Sequence, residues 1–177
     1  MHAIAAVAEL YTLGAMTKSL VFVFLLLLVT ACSKSSTPTG IETWDEIRSL
    51  AEAFVFRGDS DAIRRHTDFA GVPPDAMQKL KTMLDDWHGV SSNLTHTGTQ
   101  VMTFPEYEAL RRADKKELPE DTRNALLSAI HWNVKPEKVI VFTFASKDPK
   151  DTTTRVRWSA GTYQTNGLWF FAAGYTQ

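Results

Sequence analysis

The chain has 177 residues, 44% of them hydrophobic and 22% charged, and a net charge of −1, an ordinary globular composition sized for one domain with a tail. A near-neutral chain lacks the basic face that phosphate backbones demand, so no nucleic-acid partner is expected. The single cysteine, Cys32, excludes an internal disulfide and any zinc or iron–sulfur site built from cysteines.

Leu20–Val29 is an unbroken run of ten apolar residues. A membrane-spanning helix takes about 20, so the run suits the hydrophobic stretch of a secretion signal, with Lys18 as its positive flank. Residues 1–15 hold Glu9 and neither Lys nor Arg. Met16 opens a compact flank, and translation is expected to start there rather than at Met1. The alternative is a signal-anchor helix reaching back through residues 3–15, which Glu9 and Lys18 interrupt. Val29-Thr30-Ala31-Cys32-Ser33 follows and resembles the lipobox of bacterial lipoproteins. That resemblance implies cleavage between Ala31 and Cys32 and a diacylglyceryl group on the Cys32 thiol. Two acyl chains, at about 0.8 kcal/mol per buried methylene, suffice for stable anchoring in a bilayer. Ser33, rather than an aspartate, implies the outer membrane, facing the periplasm, in an organism that has one. The alternative is an unmodified Cys32 beside an ordinary cleavage site. Residues 1–31 are thus expected to be a signal peptide, 32–42 a lipidated flexible linker rich in Ser, Thr, Pro and Gly, and 43–177 a single domain.

Thr43-Trp44-Asp45-Glu46 has the capping-box pattern of a helix start. Ile47, Leu50, Ala51, Phe54 and Val55 then recur at helical spacing, and Gly58 is placed to end the helix. Ser60 is expected to cap a short second helix carrying Ile63, His66 and Phe69 on one side. Pro73-Pro74 opens a third with Met77, Leu80, Leu84 and Trp87 inward, stopped by Gly89. The β-branched stretch SNLTHTGTQVMTF predicts a strand broken near Gly98. Helix is expected again over 105–130, in two pieces, the second starting at Pro119. Lys138–Ser146 is apolar on both faces, the mark of a central strand. A second strand runs over 154–164. Asn166-Gly167 is a hairpin signal, because both central residues of a type I′ turn need positive φ. The last strand is expected over 168–176.

Helices first and an antiparallel three-stranded meander last predict an α+β fold with helices on one face of a curved antiparallel sheet. The segments AEAFVFRGDSDAIRRHTDF and TYQTNGLWFFAAGY make residues 42–177 resemble the NTF2-like (cystatin-like α+β cone) superfamily. The stretch 105–131 departs from its plain pattern.

Nucleotide-binding, nucleophile-elbow and zinc-protease motifs are absent from the sequence, and no cofactor or metal is expected. The resemblance to cone-shaped isomerases and dehydratases implies an acid, His or Tyr at the cone mouth. The candidates are His66, Asp68, His88, Tyr163 and Tyr175, each of which also suits a solvated or structural role. Trp87, Trp132, Trp158, Trp169, Phe170 and Phe171 can line an apolar ligand pocket, although aromatic strand residues under helices are core by default. LWFF places large aromatics on both faces of its strand. Were that strand at an edge, Trp169 and Phe171 would offer a face to a second copy. The resulting expectation is a membrane-anchored envelope lipoprotein with a binding or scaffold domain of unknown ligand. A small-molecule enzyme in the same cone and an assembly factor for an envelope machine are the alternatives. His66, Trp87, His88, Trp132, Tyr163, Trp169 and Phe171 are the candidate pocket or interface residues, and Cys32 the lipidation site.

Overall fold

The computed structural model describes residues 37–151 and 154–176. The signal peptide, the start at Met16 or Met1 and the lipobox lie outside the described residues. Among those described, no helix is long and apolar enough to cross a membrane.

Helix α1, Trp44–Arg57, starts where the Thr43 hydroxyl accepts the Glu46 N–H at 3.3 Å and ends at Gly58, which donates to the Phe54 carbonyl from φ 72°. Helix α2, Ser60–His66, is capped one residue earlier than expected: the Asp59 carboxylate accepts the Ala62 N–H, while the Ser60 hydroxyl donates to Asp85. Strand β1 is only Thr67–Asp68. Helix α3, Pro74–Ser91, runs past Gly89. That glycine keeps negative φ, and the hydroxyls of Ser91 and Ser92 donate to the carbonyls of His88 and Gly89 in the final turn. Strand β2 is Leu94–Thr103, with a register shift between His96 and Gly98 where the sequence predicts a break.

Helix α4, Phe104–Asp114, carries a full capping box: Thr103 and Glu106 satisfy each other's backbone N–H groups. Those bonds hold the Glu106 carboxyl below the usual carboxylate range. Helix α5 is Glu120–Ser128. Ile130, expected at a helix end, instead opens strand β3, Ile130–Trp132, because it pairs with Thr176 from the far end of the chain. Strands β4, Lys138–Ser146, β5, Arg155–Thr165, and β6, Leu168–Ala172, follow. Asn166 and Gly167, at φ 51° and 79°, make the turn between β5 and β6. The strand expected over 168–176 is divided at Ala173, and its remainder is β7, Gly174–Thr176. The cause is Asn133: its Oδ1 accepts the Ala173 N–H at 2.8 Å, and its own N–H donates to the Ala173 carbonyl at 3.1 Å. The chain thereby leaves the main sheet and pairs with β3.

The architecture is α+β. The main sheet has the order β1-β6-β5-β4-β2, and β3 and β7 form a separate antiparallel ribbon. The main sheet is mixed rather than wholly antiparallel, since β1 runs parallel to β6. The helices are not confined to one face either. On one face Ile47 and Phe54 of α1 and Trp87 of α3 pack on Ile140, Phe142 and Phe171. On the other, Tyr107 of α4 packs on Val139 and Val141. Strand β4 is therefore central and buried on both faces, as its composition predicts. Strand β6 is no edge: β5 flanks it on one side, and β1 and a bridge from Ile41 on the other. Trp169 and Phe171 are 8% and 3% exposed and lie within the core, not on a face open to a second copy. Residues ahead of Thr43 also engage the domain. Ile41 is buried and exchanges two backbone hydrogen bonds with Trp169, and the Thr39 N–H donates to the Arg65 carbonyl.

Candidate functional site

Strand β5 pairs with β4 over its residues 155–162, but with β6 only over 161–165. Where β6 stops and the chain swings away at Ala173, the first half of β5 is left without a second neighbour among the described strands. A cavity of about 320 Å³ occupies that space, at the lower end of ligand-pocket sizes. Its walls include Leu80, Met83 and Leu84 of α3, Trp158 and Ala160 of β5, and Ala173 with the residues of β7. Both Trp158 and Ser159 line it. Successive strand residues point to opposite faces, so the cavity lies beside the strand edge rather than over one face of the sheet.

The polar groups are few. The hydroxyls of Tyr107 and Ser159 are 2.9 Å apart and share a hydrogen bond. The Thr67 hydroxyl is occupied by the Ile63 carbonyl. Arg157 pairs with Asp114, and Lys79 lies 3.9 Å from Asp75. Trp132 carries an indole N–H that is buried with no hydrogen-bond partner among the described residues, an arrangement that costs about 1–3 kcal/mol. Its six-membered ring is seated on two glycines: a Cβ at Gly161 would lie 2.5 Å from its Cζ3, and one at Gly174 would lie 3.0 Å from the same atom. The indole nitrogen is on the ring edge away from that seat. Among the described residues no carboxylate or imidazole lines the cavity.

Of the residues singled out by sequence, Trp132 and Phe171 meet in this cavity, together with Tyr175 and Trp158. The others are elsewhere. Trp87 is a core residue whose indole N–H donates to the Val55 carbonyl at 3.2 Å, with one edge reaching a shallower groove on the same side of α3. His88 is exposed at the end of α3. The Nδ1 of His66 lies 2.5 Å from the Thr39 carbonyl and fastens the entering chain. Trp169 packs edge-on against Trp44, with the Lys138 ammonium 5.2 Å from its ring. Tyr163 donates to Asp68 at 2.8 Å, a carboxylate–tyrosine pair of the kind expected at a catalytic cone mouth, but neither residue lines the cavity. Burial, then the bond to Asp68 and its charge, push the Tyr163 hydroxyl pKa far up, so it is a poor proton donor. Among the described residues no three His, Cys, Asp or Glu side chains gather closely enough to hold a metal ion.

Tyr107, Ser159, Lys79 and Met83 are site residues that the sequence does not single out. An alternating strand that carries two small residues, Ser159 and Gly161, between Trp158 and Tyr163 was the available signal for a partner packed closely there. The fold and site define an α+β domain holding an apolar recess with a pair of hydroxyls among its lining residues. Compared with protein families, with curated proteins and with solved structures, the chain matches none.

Proposed function

We propose that this protein is an exported envelope lipoprotein, anchored through Cys32, whose domain has the NTF2-like cone as its family and acts as a binding module. The lipobox resemblance supports the anchor. The helices ahead of strands β4 to β6 and the aromatic closing strand support the cone. One observation carries the binding reading: an apolar recess of about 320 Å³ whose described lining holds the hydroxyl pair of Tyr107 and Ser159 and no carboxylate or imidazole. Such a site stabilises an apolar body and leaves a few polar groups to orient it, which is how ligand pockets combine affinity with orientation. The alternative, an isomerase or dehydratase, needs a carboxylate or imidazole within reach of substrate. The carboxylate–tyrosine pair of Asp68 and Tyr163 stands outside the recess, so binding is the better reading.

Two measurements test the two halves of this proposal. Cells grown with an alkynyl fatty acid should label the wild-type chain and not Cys32→Ser; equal labelling of both sinks the anchor. Titration with 8-anilinonaphthalene-1-sulfonate should give one saturable, blue-shifted site. Leu80→Phe, which adds bulk from α3, should weaken it about tenfold, the cost of displacing a small apolar contact area. A folded protein that leaves the dye unbound, or a variant that binds it equally, removes the binding reading.

A further inference from the structure

The hydroxyl pair decides what kind of molecule the recess selects. Ser159 sits opposite Val141 in the ladder between β5 and β4, and Tyr107 packs on that same valine from α4. The tyrosine is 7% exposed, so its phenol reaches Ser159 from within the core on that face. Arg157, two residues along the strand, shares the face of Ser159. Its guanidinium pairs with Asp114, which lies seven residues beyond Tyr107 on α4 and so on one helical side with it. Two polar clips between one helix side and one strand face thus hold the pair in place. A donor already held in place meets an acceptor at little ordering cost.

A hydroxyl has one proton and two lone pairs. The bond between Tyr107 and Ser159 spends one proton and one lone pair, whichever oxygen donates, so the pair keeps one O–H to give. That O–H stands in the lining of an apolar recess, where a hydrogen bond is stronger than in water. The cations of the lining favour no ion, because each already faces a carboxylate: Lys79 pairs with Asp75 and Arg157 with Asp114. An ion drawn inward would lose its hydration against a balanced wall. Trp132, Trp158, Phe171 and Tyr175 add ring surface, which suits a flat apolar body.

Resting on the binding reading above, we propose that the recess takes a small uncharged ring molecule with one acceptor oxygen, which receives the remaining O–H of the hydroxyl pair. The apolar walls supply affinity, and the pair of Tyr107 and Ser159 fixes which end of the molecule goes in first. A charge carried elsewhere on such a molecule stays in water at the mouth, where Lys79 is 69% exposed.

The test uses the full chain in lipid nanodiscs, with protein-free nanodiscs as the partitioning control, and three probes of one shape. These are methyl 2-naphthoate, the hydrocarbon 2-sec-butylnaphthalene and the anion 2-naphthoate, each competing with bound 8-anilinonaphthalene-1-sulfonate. The ester should displace the dye about fivefold better than the hydrocarbon, the worth of one net hydrogen bond. The anion should compete no better than the hydrocarbon, since its charge stays at the mouth as the sulfonate does. In the double variant Tyr107→Phe with Ser159→Ala, which keeps the tyrosine's ring, the hydrocarbon should compete as before and the ester should lose its advantage. Equal competition by ester and hydrocarbon in the wild type overturns the proposal, as does an ester preference that survives in a double variant still able to bind the dye. An anion that competes better than the ester also overturns it, because the ligand is then an acid. If the double variant no longer holds the dye, the three wild-type affinities decide alone. Dye binding without an ester preference defeats this inference only; no dye binding in the wild type defeats the binding reading with it.

Discussion

Tyr163 shows how a single side chain can look catalytic and act structurally. Its ring stacks on Phe170, with centroids 5.6 Å apart, and its hydroxyl donates to Asp68. The second carboxylate oxygen of Asp68 accepts the Ala70 N–H at 2.8 Å, so the pair ties the turn after β1 to β5. Folding raises the pKa of the hydroxyl, which fixes the sign of its pH dependence. Below the unfolded value of about 10 both states keep the proton and the stabilisation is complete. Above it the unfolded chain releases the proton while the folded one retains it, so stability falls as pH rises. Tyr163→Phe should therefore be less stable than wild type by about 1 kcal/mol at pH 7, the worth of one partly exposed hydrogen bond. The gap should narrow above about pH 10, because only the wild type loses that proton on unfolding. Urea unfolding of both proteins at pH 7 and pH 10.5 measures it. A gap of equal size at the two pH values would show that the hydroxyl has no linkage to folding.

Elements whose limits are set by local chemistry are the ones that sequence makes legible. Helix α1 begins at the Thr43 cap and ends at Gly58, and β4 has the span its apolar run predicts. The Asn166-Gly167 turn follows from the positive φ both residues accept. Elements set by distant partners are not legible. Strand β1 has two residues, too few for any periodicity, and exists because Thr67 and Asp68 align with Phe171 and Ala172. Strand β3 takes Ile130 from the end of the expected helical stretch because β7 pairs with it. Helix α4 was recognisable as a helix, but its place on the second face of the sheet depends on Tyr107 reaching Ser159. The site follows the same division. Trp132, Phe171 and Tyr175 are conspicuous as aromatic residues in a small domain. Which of them share a cavity was decided by where β6 stops, and no short window of sequence holds that information.

At the scale of the whole molecule, one residue decides where β6 stops. Asn133 accepts the Ala173 N–H and donates through Nδ2 to the Asp68 carbonyl at 2.8 Å. The ribbon of β3 and β7, the end of β6 and the turn after β1 are thus joined at a single amide. Ala173 is 1% exposed, so removing its acceptor leaves a buried N–H unpaired. Asn133→Ala should therefore cost about 1–3 kcal/mol, the penalty of an unsatisfied buried donor. The loss should be local before it is global. Strand β4 is held by long ladders to β2 and β5 and by core on both faces, whereas among the described strands the three-residue ribbon strands have only each other as ladder partners. Hydrogen exchange should accelerate at residues 130–132 and 174–176 while the β4 amides keep their protection, as expected when a small cooperative unit opens alone. Because β7 forms one wall of the recess, the same variant should bind 8-anilinonaphthalene-1-sulfonate more weakly without unfolding. Uniform acceleration across β4 and the ribbon would mean that the two sheets open as one unit, and that the recess is as rigid as the core behind it.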